Sequence, residues 1–292
     1  MSREIVIDLA SYQSSLTASD YKKIGAKYAI VKITENTNYV NPVANQLINR
    51  AATGGVKGFA FYHFGQFHND AKAASEAKCF IANTKKVVNL QKGALMILDA
   101  EVANMPTSSI IAFLKEVKKA GYKTGFYTYK YLLPNFDLKK IKPYMDFFWL
   151  ASYPLSNGKA ADKKPDFNYF PSANYVDLWQ YTDNLLGYKV DGSISVTENA
   201  IKLFNPGKAK ATAKKSGWVK KSGTFTLGED LHLHESPHID SPSIALLKKG
   251  SIIKFDATLQ GPKRLWLRQP RSKGYGYIVA RDKNNKLLGK IK

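Results

Sequence analysis

The sequence predicts an α/β barrel followed by a small all-β module. In residues 4–204, short apolar runs typical of buried strands alternate with amphipathic helix patterns. Residues 206–217 are small and basic and lack any apolar period, which is typical of a linker. Beyond them, short strand-like runs are separated by Gly and Pro, and no segment has a helical apolar period long enough to predict a helix.

Seven runs in the first part are rich in apolar, β-branched and aromatic residues, as buried parallel strands are. These runs are 4–10, 28–34, 58–64, 94–101, 124–129, 147–153 and 176–182. Helix patterns lie between several of them, at 18–26, 41–55, 70–87 and 108–122. Seven strands in about 200 residues fit a closed barrel better than an open sheet.

The second part contains five shorter strand-like runs, which predict a small β-barrel or sandwich. These runs are 223–228, 231–235, 251–260, 264–270 and 274–282. We therefore divide the chain into a barrel of residues 1–205, a linker of residues 206–217 and an all-β module of residues 218–292.

The charge is large and uneven. The formal net charge is +21, from 44 basic and 23 acidic side chains. Residues 207–292 carry 19 of the basic and 6 of the acidic ones, a surplus of 13 in well under half the length. The surplus predicts a polyanionic partner, such as an anionic wall polymer or acidic lipid. Nucleic acid also fits on charge alone, but the sequence has no recognition motif for it, and we expect no nucleic-acid partner.

The N-terminal segment MSREIVIDLASYQ has no basic stretch leading into an apolar run, so the sequence predicts no signal peptide. No transmembrane segment is expected, because no run approaches about 18 apolar residues. The single cysteine excludes an intrachain disulfide. We expect the protein to accumulate in the cytoplasm and to need another protein for release if its substrate lies outside.

Polar and aromatic side chains stand at the C-terminal ends of the predicted barrel strands, where α/β barrels carry their catalytic groups. In chain order they are Asp8, Thr34, Glu35, Tyr62, His63, Asp99, Glu101, Tyr127, Trp149, Tyr153, Trp179, Gln180 and Tyr181. The aromatic members predict a groove suited to the faces of sugar rings. Each aromatic residue taken alone is also compatible with a place in the core.

The pair Asp99 and Glu101 is the sharpest signal among these residues. Two residues apart on a strand, they point to the same face, roughly 6–7 Å apart at Cα. Such closeness raises the pKa of one carboxyl, which leaves an acid beside an ionised partner. That combination suits the cleavage of a glycosidic bond. Asp8, on the neighbouring first strand, could supply a third carboxylate.

Structural or metal-binding interpretations of these residues stay open. The acidic pair could form a solvated turn or a divalent-metal site, although the aromatic surroundings favour sugar. His63 is more simply a structural histidine than a catalytic one. A zinc site at His232, His234 and His238 is the less favoured interpretation. We expect neither a metal nor a cofactor.

Seven blocks in order along the chain resemble the glycoside hydrolase family 25 lysozymes, the Chalaropsis type, over about residues 4–205. The blocks are IDLASYQ (7–13), VKITENTNYVNP (31–42), GFAFYHF (58–64), LDAE (98–101), GFYTY (125–129), LASY (150–153) and LWQYT (178–182). The resemblance implies an irregular, TIM-like (β/α) barrel. It also implies hydrolysis of the β-1,4 bond between N-acetylmuramic acid and N-acetylglucosamine in peptidoglycan.

The resemblance also assigns roles to residues. It implies that Glu101 is the general acid, that Asp99 orients the substrate's acetamide, and that Asp8 is a supporting carboxylate. Two positions compete for a fourth site, either Asp191 or Ser195, and in the second case that carboxylate is lost. The residues expected to bind substrate are Tyr62, Tyr127, Trp149, Tyr153, Gln180 and Glu35.

The tail resembles bacterial SH3-type wall-binding modules in three stretches. These are KKGSIIKFDA (248–257), RLWLRQ (264–269) and YGYIVARD followed by KLLG (275–289). The resemblance implies an SH3-like barrel that docks on wall peptide or on an anionic wall polymer.

The favoured function is a phage or prophage endolysin that acts on peptidoglycan and is released by a holin. The alternatives are a bacterial autolysin of the same chemistry and a non-catalytic wall-binding protein. The carboxylates at positions 8, 99 and 101 argue against the last of these.

Overall fold

The computed structural model describes residues 3–154, 158–204, 217–239, 241–261, 264–272 and 274–292. The chain divides into two compact units, Met1–Lys214 and Lys215–Lys292. The predicted linker lies outside the described residues except for Gly217.

The first unit contains nine strands and six α-helices within its described residues. The strands are β1 (Ile5–Leu9), β2 (Tyr28–Glu35), β3 (Tyr39–Val40), β4 (Gly58–Phe64), β5 (Leu95–Asp99), β6 (Lys123–Tyr129), β7 (Phe147–Ala151), β8 (Leu178–Thr182) and β9 (Asp191–Ser195). The helices are α1 (Ala18–Ile24), α2 (Ala44–Thr53), α3 (Asp70–Val87), α4 (Thr107–Lys119), α5 (Leu138–Ile141) and α6 (Glu198–Leu203). Short 3-10 turns occupy Ser11–Gln13, Lys130–Asn135, Lys142–Tyr144 and Phe167–Tyr169.

Eight of these strands form a closed barrel in the order β1-β2-β4-β5-β6-β7-β8-β9, and β3 pairs with the end of β2. Each strand from β1 to β8 in this ring runs parallel to its neighbour. β9 runs antiparallel to both β8 and β1 and closes the ring. The predicted barrel, its seven strands and its four helices are therefore confirmed. β9 was missed because its sequence, DGSIS, is short and has a single large apolar residue.

Strand alternation divides the core of this unit into two layers. One set of side chains packs outward against the helices, as Ile7, Val31 and Phe61 do. The other set fills the barrel interior, as Ile30 and Ile97 do. The interior is thus a packed core, and the carboxyl ends of the parallel strands form its functional mouth.

Helix α6 closes the opposite end of the barrel. Phe204, which follows it directly, is buried and its ring contacts Tyr28 and Phe147. Thr197 caps α6, since its Oγ1 accepts a hydrogen bond from Ala200 N at 3.3 Å. The same hydroxyl donates to Asp177 Oδ1 at 2.5 Å and so ties the helix to the barrel.

Removing this cap should destabilise the first unit measurably. We expect Thr197→Ala to lower the free energy of unfolding by about 1–2 kcal/mol, because α6 loses its cap and Asp177 loses a donor. Thr197→Ser keeps both hydrogen bonds and serves as the matched control. Urea titration followed by tryptophan fluorescence measures the difference. Equal midpoints for the two variants would contradict this account of the cap.

The second unit is all-β within its described residues. Its strands are β10 (Trp218–Leu227), β11 (Leu231–His234), β12 (Ser243–Leu247), β13 (Ile252–Gln260), β14 (Leu265–Pro270), β15 (Tyr275–Arg281) and β16 (Gly289–Ile291). They form one antiparallel sheet in the order β12-β11-β15-β14-β13-β10-β16. The five predicted strands are confirmed, whereas β12 and β16 were missed. In neither unit does a described helix have the length and apolar character needed to cross a membrane.

Candidate active site

Four carboxyl side chains meet at the barrel mouth. Asp8 lies near the end of β1, Asp99 ends β5, and Glu101 follows two residues later. Asp191 begins β9, and because β9 runs antiparallel, its first residue lies at the same end of the barrel as the last residues of the other strands. Asp8 and Asp191 are direct register partners. Asp99 is 5% exposed, whereas the other three are partly exposed.

The position of Asp191 decides which residue supplies the fourth carboxylate. Ser195 lies at the other end of β9, where its Oγ accepts a hydrogen bond from Glu4 N at 2.8 Å. Arg3 Nη1 donates to Ser195 O at 3.2 Å at the same end. Ser195 is therefore far along the strand from the mouth, and the structure places Asp191 there instead.

The segment from Asp99 to Glu101 is held on both sides by its neighbours. Asp99 O accepts a hydrogen bond from Gly65 N at 3.0 Å. Ala100 N donates to Tyr127 O at 2.9 Å, and Ala100 O accepts from Thr128 Oγ1 at 2.8 Å. Ala100 packs outward in the core, so strand alternation turns the two acidic side chains inward, as predicted.

Burial raises the pKa values of all four carboxyls, and repulsion from neighbouring carboxylates adds to the effect at Asp8, Asp99 and Asp191. Burial raises the pKa of Asp8 well above its usual range, and the charges of Asp191 and Glu101 add to the effect. Burial, then Glu101 and Asp8, do the same to the pKa of Asp99. Burial also raises the pKa of Glu101, and the nearby Tyr127 hydroxyl and the charge of Lys32 oppose the effect. The cluster therefore holds protons at a pH where isolated carboxyls would be ionised.

The pKa of Asp191 lies close to neutral pH. Burial, followed by the charge of Asp183, raises its pKa to about 7. The hydroxyl of Tyr153 and the amide of Gln180 approach Asp191 Oδ2 at 3.5 and 3.2 Å. Asp191 therefore exchanges its proton close to neutral pH.

The expected substrate-binding residues surround the cluster, but the polar atoms of several form hydrogen bonds with other groups of the protein. Gln180 is fully buried, and its Oε1 accepts hydrogen bonds from Tyr127 at 2.6 Å and Tyr153 at 2.9 Å. Tyr62 is buried and its ring meets Trp149 edge-on. Gln180 thus links two tyrosines to Asp191 and fixes the wall of the site.

Three of the aromatic residues predicted to line a groove are buried in the structure. Trp149 is 1% exposed and its Nε1 donates to Ser193 Oγ at 3.1 Å, so it forms the floor beneath the site. Trp179 and Tyr181 point outward, because strand alternation places them on the opposite face from Gln180. Trp179 Nε1 donates to Ser152 O, and Tyr181 OH donates to Asp162 O. The prediction that these two residues line the groove is wrong.

A row of tyrosines that the sequence analysis missed leads away from the cluster. Tyr129 packs against Tyr127 and Tyr153, and Tyr131 stacks on Tyr129 with ring centroids 5.4 Å apart. Tyr131 is 71% exposed. The run YTYKY, with tyrosine at every second position, is the signal that could have identified this row.

Lys32 is a further residue that the sequence analysis missed. It lies near the end of β2, and its Nζ is 2.7 Å from Glu35 Oε2. Its charge lowers the pKa values of Asp8, Asp99 and Glu101. A lysine on the inward face of an otherwise apolar strand is the signal that marks it.

His63 is structural, as predicted. It is fully buried on the outer face of β4, with Nε2 2.8 Å from Glu76 Oε2 and Nδ1 2.8 Å from Thr34 Oγ1. Burial lowers its pKa. Over the described residues, no group of three His, Cys, Asp or Glu side chains is arranged to hold a metal ion.

A closed α/β barrel with acidic side chains at the carboxyl ends of its strands, bordered by tyrosines, is an arrangement typical of glycoside hydrolases. Residues 7–188 match the sequence profile of glycosyl hydrolases family 25. The chain belongs to this family.

Two phage proteins are similar to parts of this chain. A lysozyme of Streptococcus phage Cp-9 is 31% identical over 189 residues, which cover 62% of this chain and 51% of that protein. The chain thus spans about half the length of that relative. A D-alanyl-L-alanine endopeptidase of Streptococcus phage B30 is 25% identical over 279 residues, covering 89% of this chain and 60% of that protein.

A solved structure supports the fold of the first unit. The catalytic domain of endolysin ply40, from bacteriophage P40 of Listeria monocytogenes, matches with a TM-score of 0.56 and 24% sequence identity. The match covers 69% of this chain and 97% of the solved one.

Proposed function

We propose that this protein is an N-acetylmuramidase that hydrolyses the β-1,4 bond between N-acetylmuramic acid and N-acetylglucosamine in peptidoglycan. The observation that carries the proposal is the meeting of Asp8, Asp99, Glu101 and Asp191 at one barrel mouth. Family membership and similarity to a protein named lysozyme support it. In this proposal residues 1–205 are catalytic, 206–217 form a linker, and 218–292 bind the wall.

The positions of the carboxyls suggest their roles. Glu101 is partly exposed and keeps its proton, so it can give that proton to the leaving glycosidic oxygen as the C1–O bond breaks. Asp99 lies deeper and orients the substrate's acetamide against the developing positive charge at C1. Water then adds to C1, and its proton returns to Glu101. Asp8 and Asp191 complete the cluster, while Tyr62, Tyr127 and Tyr153 face the sugar.

The competing activity is peptide cleavage, because one relative is named an endopeptidase. The two reactions leave different new groups in a wall suspension. A muramidase releases reducing ends without new free amines, whereas an endopeptidase releases amines without reducing ends. Reducing ends from the purified full chain support the proposal, and amines alone would overturn it.

We further propose that the second unit is an SH3-type module that binds an anionic wall polymer. One outer face of its sheet carries Lys254, Lys290 and Lys292. Lys254 is the register partner of Thr224, whose backbone also exchanges two hydrogen bonds with Lys292. Lys290 is the register partner of Thr226, two residues along the same strand. The three exposed lysines therefore share one face.

Neighbouring charges leave this lysine face positive. Asp256 lies on the same face of β13, but Arg268 binds both of its oxygens, at 2.8 and 2.9 Å. Among the described residues, none of the three lysines forms an ion pair with an acidic side chain. Ammonium groups spaced along one face of a sheet suit a polymer of repeating phosphates better than an uncharged peptide.

Replacing the lysine face should weaken wall binding and its dependence on salt. We expect Lys254→Gln, Lys290→Gln and Lys292→Gln together to lower affinity for purified teichoic-acid-bearing walls about tenfold. The salt slope should fall by about one per lysine. A control with Lys248, Lys283 and Lys286 changed to Gln removes equal charge elsewhere on the unit. Equal losses in both triple variants, or equal binding to walls stripped of anionic polymer, would contradict the proposed surface.

We propose a phage or prophage origin, on the similarity to phage lysozymes. A holin would then release the protein from the host cytoplasm to the wall. An adjacent gene for a small membrane protein supports this origin, and a bacterial export locus favours the autolysin alternative.

A further inference from the structure

Lys32 is a basic residue inside the barrel whose charge acts on three of the four carboxyls. It is the register partner of Tyr62 on β4, and strand alternation turns both into the barrel. Its side chain is 14% exposed, so its charge acts through a partly buried environment. Asp8 on the neighbouring strand β1 is the register partner of Ile30, which lies two residues before Lys32 on the same inward face of β2, so Lys32 and Asp8 are diagonal neighbours inside the barrel. The positive charge acts on Asp8 and on both acidic residues at the end of β5.

A chain of contacts within the protein holds the Lys32 ammonium group in place. Lys32 Nζ lies 4.8 Å from the Phe64 ring centroid and 2.7 Å from Glu35 Oε2. The other Glu35 oxygen accepts a hydrogen bond from Gln66 Nε2 at 2.7 Å. Gln66 N donates in turn to Glu76 Oε2 at 3.0 Å, and Glu76 is fully buried.

We propose that Lys32 is a positioning residue that sets how many protons the four-carboxyl cluster holds, and that Glu35 and Gln66 fix it in that place. Both oxygens of Glu35 bind groups of this chain, which supports a holding role rather than direct contact with sugar. The proposal rests on the proposed hydrolase function, because wall hydrolysis reports the protonation of the cluster.

The charged and titratable groups around Lys32 determine the direction of the effect. From every element packed against it they are Asp8, Glu35, Tyr39, Tyr62, His63, Asp99 and Glu101, with Asp191 beyond Asp8. Lys32 stabilises the ionised carboxylates, and Glu35 offsets part of its charge. Loss of Lys32 therefore raises the pKa values of the cluster. Loss of the Glu35 charge lowers that of Asp99.

The test is the pH profile of kcat/KM on solubilised peptidoglycan, measured with the full chain. We expect Lys32→Met to move both limbs of the profile to higher pH by about one unit. Lys32→Arg keeps the positive charge and should restore the original profile. Glu35→Gln keeps an oxygen that can accept the hydrogen bond from Lys32 but removes the negative charge. It should therefore move the profile the opposite way, to lower pH, by about half a unit.

The control is Lys27→Met, which removes a lysine beside the other end of β2 that pairs with Glu4 at 2.8 Å. We expect it to leave the profile in place. Lower activity with an unmoved profile in both Lys32→Met and Glu35→Gln would reduce the network to a structural role and overturn the proposal. Shifts of the same sign in both variants would also overturn it. No hydrolysis by the unmodified chain at any pH would refute the proposed function instead.

Discussion

Glu101→Gln is expected to abolish wall hydrolysis while wall binding persists. The amide keeps the size of the side chain but has no proton to give to the leaving oxygen. General acid catalysis contributes about 10²–10⁴-fold, so kcat/KM should fall by that factor. Release of reducing ends gives the rate, and sedimentation with insoluble walls gives the binding.

The matched control is Glu198→Gln, an exposed residue in α6 at the other end of the barrel. It should keep full activity. If Glu101→Gln released sugar as fast as this control, position 101 would not be the acid, and the assignment of roles among the carboxyls would fail.

The second large effect is a loss of stability as the pH rises. The pKa of Asp191 is about 7 in the folded chain, against an ordinary value of 3.8. Between these values the folded state holds a proton that the unfolded chain has released. The contribution is therefore complete below about pH 4 and is lost as the pH rises through 7. A shift of this size corresponds to about 4 kcal/mol.

Asp191→Asn should remove the part of this dependence that Asp191 contributes. We expect the variant to be more stable than the unmodified chain at pH 8 and to show a flatter curve between pH 4 and 7. Asp183→Asn, which changes an exposed neighbour, should keep most of the slope. Urea denaturation at several pH values measures both curves, and an unchanged slope in Asp191→Asn would refute the raised pKa.

These two predictions depend on different amounts of information from the sequence. The acidic pair at 99 and 101 was readable from strand alternation alone, because a period of two fixes which side chains share a face. The same rule applied to LWQYT would have separated Gln180 from its outward neighbours Trp179 and Tyr181. That prediction failed because only position along the strand was considered.

The fourth carboxylate could not be placed from the sequence by the same reasoning. Every other barrel strand presents its last residues at the mouth, whereas β9 is reversed and presents Asp191, its first. A short strand with one large apolar residue has no apolar alternation by which the sequence could reveal it, and nothing in its sequence indicates that it runs in the reverse direction. Lys32 escaped notice for another reason, since the carboxyls on which its charge acts, Asp8 on β1 and Asp99 at the end of β5, lie on strands that only the folded barrel brings together.

The most direct measurement identifies the sugar at the newly formed chain end. Walls digested by the full chain are reduced with borohydride and then hydrolysed, which converts each new reducing-end sugar to its alcohol. The proposed cleavage predicts that the reduced product is derived from muramic acid. A product derived from glucosamine would mean that the other glycosidic bond is cut, and the absence of any reduced sugar would contradict a glycosidase altogether.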